Sequence, residues 1–259
     1  MKINELFFEL SNEERFKIFK SLFNESKRHN QIEKELGIRG SEVSRHLKRL
    51  IKEDLVEKDI YNKYDITNIG RIFLQILDLL KIFLKFKNYF NSHNVYELPF
   101  YVTLQLGDLK TLKINKGTMQ NIELWAQLIK DSEKFILAIS DQFQDSILPI
   151  VEKKINNISI NIRAIIDETV LKSKGYEKLE DRHAFYRKLN IAENIKVLTH
   201  IDFSLLVSDK GAIIFLKREG KIDYSECLYD DIETFINWAI NLFEWYWKKG
   251  KDIKPFIKK

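Results

Sequence analysis

Residues 31–70 read QIEKELGIRGSEVSRHLKRLIKEDLVEKDIYNKYDITNIG, and this stretch decides the fold. QIEKEL (31–36) has the spacing of a short helix, and Gly37 follows it. Glycine tolerates the left-handed conformation that closes a helix. A tight turn, IRGS, then leads into EVSRHLKRLIKEDL (42–55). There Val43, Leu47 and Leu50 recur at helical spacing and are expected to face inward. Ser41, Glu42, Ser44, Arg45, Lys48 and Arg49 are left on the outer face. Two helices joined by such a turn form a helix-turn-helix, whose second helix enters the major groove of double-stranded DNA. Leu55–Gly70 reads as strand, tip and strand, with Asn62 and Lys63 at the tip. A hairpin placed there is a wing, and Tyr61 and Lys63 are expected to grip the DNA backbone or the minor groove. Upstream, Asn12–Phe23 forms a helix with Phe16, Phe19, Leu22 and Phe23 on one face.

The charge is local. Between Arg15 and Lys52 stand eleven basic residues and four acids, an excess of seven, larger than the net +5 of the whole chain. Phosphate neutralisation dominates non-specific DNA affinity and needs such an excess. Arg39 falls at the N-cap of the groove-facing helix. Arginine cannot accept the orphan amide protons there, which costs about 1 kcal/mol, so Arg39 is expected to reach a phosphate instead.

Length and composition bound the rest. A chain of 259 residues accommodates one large or two modest domains. With 44% hydrophobic and 12% aromatic residues it can build real cores, which argues against disorder. A single cysteine, Cys227, excludes an intrachain disulfide and a cysteine-rich metal cluster. His29, His46, His93 and His183 lack the i, i+4 spacing of a metal pair. No metal or cofactor is expected. The charged N-terminus lacks the apolar core of a signal peptide. Ile72–Phe90, the most apolar run, carries Gln75, Asp78, Lys81, Lys85, Lys87 and Asn88, too polar for a membrane span. A cytoplasmic protein with no membrane contact is expected.

Beyond about residue 133, short β-rich runs alternate with helical segments. FILAIS (135–140), ISINIRAIID (158–167), IKVLTH (195–200), FSLLVSD (203–209) and AIIFLKR (212–218) read as strands. MQNIELWAQLIKD (119–131), FQDSILPIVEKKI (143–155) and YEKLEDRHAFYRKL (176–189) read as helices. DIETFINWAINLFEWYWKK (231–249) closes the chain as an amphipathic helix, with Asp230 and Asp231 at its positive dipole end. Residues 96–118 yield no clear assignment. The expected division is a winged helix-turn-helix over 1–71, a helical linker over 72–94 and an α/β effector domain over 95–259. Ile72, Ile76, Leu79, Phe83 and Phe86 have the heptad spacing of a seam that would make a homodimer.

LFFELSNEERFKIFKSL (6–22), LGIRGSEVSRHLKRLIKEDLVEKD (36–59) and YDITNIG (64–70) together resemble the ArsR-type winged helices of archaeal regulators. The strand order of the second half and its closing WAINLFEWYW (238–247) resemble the phospholipase-D-like effector domain of TrmB-related and methanogenesis-regulator proteins. The resemblance implies an α+β winged helix-turn-helix followed by an α/β phospholipase-D-like domain. It also implies a place to look for catalysis, the His-x-Lys-x4-Asp motif of that fold. Here His200-Ile201-Asp202 puts an aspartate where the lysine would stand, and Val207 where the aspartate would stand. The chain is therefore expected not to be an enzyme. A phosphodiester-acting enzyme with a DNA-targeting winged helix is the alternative reading. Polar residues at strand ends, Asp141, Arg163, His200 and Asp202, are the candidates for holding a small polar metabolite. The expected function is that of a sequence-specific, dimeric, ligand-responsive transcriptional regulator.

Overall fold

The computed structural model describes residues 2–142, 147–155, 160–172, 191–253 and 255. The helix expected over 176–189, with His183, lies outside them, as do the first residues of the expected 143–155 helix and 158–167 strand. The chain divides into two compact units, Met1–Lys81 and Ile82–Lys259.

The first unit begins with α1 (Ile3–Leu10) and α2 (Glu13–Ser21). The Asn12 carboxamide caps α2, accepting the Arg15 N–H at 2.9 Å. A two-residue strand β1 (Lys27–Arg28) precedes α3 (His29–Leu36) and α4 (Gly40–Lys52). Gly37 closes α3 at φ 65°, the left-handed conformation that the sequence implied. β2 (Val56–Lys58) and β3 (Lys63–Ile66) form the hairpin, and β1 pairs with β3 to make a three-stranded sheet, β1-β3-β2. α5 (Asn68–Lys85) follows, and the division between units falls within it. Its first turn comes so close to β2 that a Cβ on Gly70 would sit 2.4 Å from the Leu55 carbonyl oxygen. The core is Ile18, Phe19, Leu22, Ile32, Val43, Leu47, Leu50, Leu55 and Ile66, all buried. Phe16 is only partly buried and Phe23 is exposed, so the inner face of α2 is Ile18, Phe19 and Leu22 instead.

The second unit opens with α6 (Lys87–Ser92), α7 (Phe100–Leu104) and a 3-10 turn, Gln105–Asp108. β4 (Lys113–Lys116), α8 (Thr118–Asp131), β5 (Phe135–Ser140), α9 (Leu148–Ile155), β6 (Asn161–Asp167) and α10 (Glu168–Lys172) follow. Next come α11 (Ile191–Asn194), β7 (Ile195–Leu198), β8 (Phe203–Ser208), β9 (Gly211–Arg218) and β10 (Lys221–Ile222). β11 (Glu226–Asp230), α12 (Glu233–Trp247) and β12 (Lys251–Asp252) end the described chain.

The mixed sheet runs β12-β7-β6-β5-β8-β9-β11-β4, with β10 on β9. β5, β6 and β7 are mutually parallel; the other pairs are antiparallel. β8 and β9 are buried on both faces, which accounts for their continuous apolar runs. α8 packs on one face of the sheet and α12 on the other, where Phe235, Trp238, Leu242 and Phe243 are buried. Asp230 does not lead the closing helix. It ends β11, fully buried, where it accepts the Thr111 hydroxyl at 2.6 Å. The helix begins after Ile232, with Glu233 in its first turn.

Candidate nucleic-acid interface

α4 is the groove-facing helix of the motif, and its outer face is sharper than the sequence suggested. Val43, His46, Leu47 and Leu50 turn inward. Ser41, Arg45, Lys48 and Lys52 are exposed at i, i+4, i+7 and i+11, one narrow stripe along the helix. Arg45 lies 3.7 Å from Glu42, an exposed pairing that water screens.

Arg39 occupies the N-cap, exposed and with no cap bond from its own side chain. The expected loss of capping is made good from the neighbouring helix. The Glu33 carboxylate of α3 accepts the Gly40 N–H at 3.1 Å. A negative charge there also suits the helix dipole. Ser44 turns toward α3, where its hydroxyl meets His29 Nε2 at 2.9 Å. The same nitrogen lies 2.9 Å from the Gly40 carbonyl oxygen, which can only accept. Ser44 thus stands in the joint between the two helices, partly buried rather than on the exposed stripe.

Arg49 departs most from its expected role. Its guanidinium forms a two-pronged bond to the buried Glu9 carboxylate, Nε to Oε2 at 2.8 Å and the second prong to Oε1. Arg15 approaches Glu9 Oε2 at 3.1 Å and donates from Nε to the Glu9 carbonyl oxygen at 2.5 Å. The Arg49 hydrogen bond, with the charge of Arg15, holds the Glu9 carboxyl below its ordinary range despite burial. Two arginines of the local basic excess are thus held by one acid lying outside the counted window, whose single charge offsets one of them. Lys27 is likewise buried against Glu35 at 2.6 Å.

The wing tip is Ile60–Asn62. Lys63 is not in it but opens β3, partly buried. Asp59 braces the tip, its Oδ1 accepting the N–H groups of Tyr61 at 2.9 Å and Lys63 at 2.7 Å. Asn62 takes φ 61°. Ile60 and Tyr61 are 87% and 69% exposed. Lys63 stands in register with Arg28 of β1, so two basic residues lie side by side at the wing. Arg28 is exposed. A two-residue strand leaves no periodicity, so sequence reasoning passed over it.

In the second unit the four proposed ligand contacts do not form one site. Arg163 turns to the α12 face, paired with Glu244 and stacked over Phe243 and Trp247. Asp141 accepts the Tyr224 hydroxyl. His200 and Asp202 do meet, 3.1 Å apart, around Lys217. Lys217 Nζ from β9 is 2.6 Å from both His200 Nε2 and Asp202 Oδ1. Burial raises the Asp202 carboxyl, but hydrogen bonds from Glu97 and Lys217 outweigh it and hold it below its ordinary value. The bond to Asp202, with burial, raises Glu97. Cys227 is buried, with Sγ 3.4 Å from Asn121 Oδ1, and burial pushes its thiol up to about 12.

A winged helix carrying a basic outer stripe, joined to an α/β unit, is the architecture of a DNA-binding regulator. Family comparison agrees. Residues 12–58 match the family described as "Bacterial regulatory protein, arsR family". Residues 120–249 match "Methanogenesis regulatory protein FilR1, middle domain", and as this spans half of the chain, the chain belongs to that family. It is a transcriptional regulator that couples a helix-turn-helix DNA-binding domain to a regulatory domain.

No curated protein matches the chain. Among solved structures, the archaeal chromatin protein TrmBL2 is 12% identical, over 97% of this chain and 100% of that one, with a TM-score of 0.39. Nuc of Salmonella typhimurium, a phospholipase D family member, is 12% identical over 54% of this chain and 97% of that one, with a TM-score of 0.39. Quinone-bound YodB of B. subtilis is 20% identical over 34% of this chain and 94% of that one, with a TM-score of 0.27. Among the described residues, no helix is long and apolar enough to cross a membrane.

Proposed function

We propose that the chain reads a specific double-stranded DNA sequence as a homodimer, and that a small molecule held by its second unit changes that binding. The observation that carries DNA reading is the exposed stripe Ser41–Arg45–Lys48–Lys52, on a helix whose opposite face is buried. On the wing, Arg28 and Lys63 lie side by side in register across β1 and β3. Arg45 is the base reader, because a guanidinium can bond O6 and N7 of guanine together. Arg39, Lys48, Lys63 and Tyr61 position the helix on the backbone. The test is to sequence the DNA fragments that the purified full chain retains. A palindromic motif should be enriched; retention without enrichment would remove sequence reading.

The second unit is best read as a phospholipase-D-like fold without hydrolytic activity. One observation favours the alternative, that of a phosphodiesterase: Lys217 supplies from a neighbouring strand the lysine that the sequence lacks beside His200. Its ammonium is bound to Asp202, however, and a carboxylate there repels a phosphate. Incubation with bis(p-nitrophenyl) phosphate should release no nitrophenol above background. Release that Lys217→Ala abolishes would establish the enzyme reading.

A further inference from the structure

Within the second unit, α8 and α9 lie over one face of the sheet and, with it, line a cavity of about 140 Å3. Its origin is a register coincidence. Ala138 of β5 stands beside Ala164 of β6, with Leu206 of β8 on its other side. On the face of β5 and β6 that carries Ile136, Ile162 and Ile166, the two alanines are neighbours, and the space above them is unfilled. Ile122 and Trp125 of α8 and Ile162 and Phe215 of the sheet wall it. A dry apolar cavity of roughly 150 Å3 lined by such residues is enough to bind benzene. Over the alanines, away from the polar residues at one end, water would lack the two to four polar partners that it needs.

One end is polar. Ser204 and Tyr224 line it, beside the C-terminal end of β5. Their donors are already in use. The Tyr224 hydroxyl donates to Asp141, and the Ser204 hydroxyl donates to the Ile139 carbonyl at 3.0 Å. The Tyr224 oxygen also meets Ser204 and Gln142 in hydrogen bonds, so the Ser204 oxygen, with two lone pairs, is the acceptor left for a guest.

We propose that this cavity is a ligand site for a compact, mostly apolar molecule, about one aromatic ring in size, carrying a single hydrogen-bond donor. The polar metabolite expected at the strand ends is replaced by an aromatic alcohol or amine within the sheet-and-helix layer. The regulatory consequence rests on the reading above, that a ligand of the second unit alters DNA binding. The binding itself does not.

The probe is phenol, with methoxybenzene as the aromatic control that keeps the oxygen but lacks a donor. At a hundredfold excess over its Kd, phenol should raise the Tm of the full chain by about 5–10 °C. Methoxybenzene should bind about fivefold more weakly, the value of one hydrogen bond. Ala164→Val, which adds volume above the sheet, should weaken phenol binding at least tenfold by calorimetry. Ile162→Ala enlarges the same space and should admit 1-naphthol, which the native chain excludes. This second variant keeps the test decisive if the first does not fold. No Tm shift with millimolar phenol, or equal binding by Ala164→Val, overturns the site. Phenol binding that leaves retention on the selected DNA unchanged upholds the site and overturns its regulatory role.

Discussion

Arg49 of the groove-facing helix and Glu9 of α1, forty residues apart, share a two-pronged ion pair in which the carboxylate is buried and the guanidinium half-exposed. An exposed arginine on such a helix would ordinarily be taken as a phosphate contact. Here its geometry is fixed by an acid inside the protein, and it ties α1 to the helix that reads DNA. Breaking one partner of a buried pair is destabilising, because the other charge is left uncompensated.

Glu9→Gln should therefore lower the stability of the first unit by about 1–3 kcal/mol, reduced from the fully buried case because Arg49 can recover water. The pH dependence has a definite sign. A carboxyl depressed in the folded state contributes stability above its unfolded value of 4.5, which is lost as pH falls through the folded value. Thermal melts should show the native chain losing stability below about pH 4.5, and Glu9→Gln losing less over that window. Parallel acid limbs for the two proteins would contradict the assignment.

Arg49→Ala and Lys48→Ala should separate structure from contact. Lys48→Ala should weaken binding to all DNA sequences alike and lower the salt slope by about one unit, with stability unchanged. Arg49→Ala should do the reverse, lowering the melting temperature and leaving the salt slope near its native value. Arg45→Ala should cost about 1–3 kcal/mol on the selected site and little on random DNA. Equal losses on both would remove Arg45 from base reading.

At the wing, Ile60 and Lys63 should differ in the same diagnostic. Ile60 is an apolar side chain held out on a braced turn, the kind of group that packs against or between base edges in the minor groove. Ile60→Ser should weaken specific binding with no change in salt slope. Lys63→Ala should reduce the slope by about one unit for every sequence. A changed sequence preference on Lys63→Ala would contradict its backbone role.

The parts of this fold legible in the sequence are those set by local periodicity. Val43, Leu47 and Leu50 mark the inner face of α4, and Gly37 marks the end of α3, because helical spacing and a positive φ leave signatures within a few residues. What was not legible depends on register between distant segments. The Glu9–Arg49 pair, Lys217 beside His200, and the alanine pair 138–164 each need the tertiary fold to bring them together. Arg28 escaped because its strand is two residues long. The polar strand ends misled because alternate residues of β6 point to opposite faces, sending Arg163 toward α12, away from Asp141.

The last prediction concerns assembly. The heptad expected on Ile72, Ile76, Leu79, Phe83 and Phe86 is only partly outward: Leu79, Phe83 and Phe86 are partly buried. The exposed apolar run on α5 is Ile69, Ile72, Ile76, Leu80 and Leu84, stepping by three, four, four and four. Leu74 is buried on the opposite side, and Phe73 and Leu77 pack on the core of the first unit. A helix apolar on two faces has one too many for a lone domain, and the outer face fits a second copy of the same helix. Two copies related by a twofold axis would present two groove-facing helices to half-sites about one DNA turn, roughly 34–36 Å, apart. Ile72→Glu with Ile76→Lys should convert the protein to a monomer in light scattering at micromolar concentration. The folded helix content should stay intact, because neither side chain belongs to the core. Affinity for a palindromic site should fall far more than affinity for a single half-site. A native chain that scatters as a monomer both free and on DNA would overturn the dimer, and with it the expectation of palindromic sites.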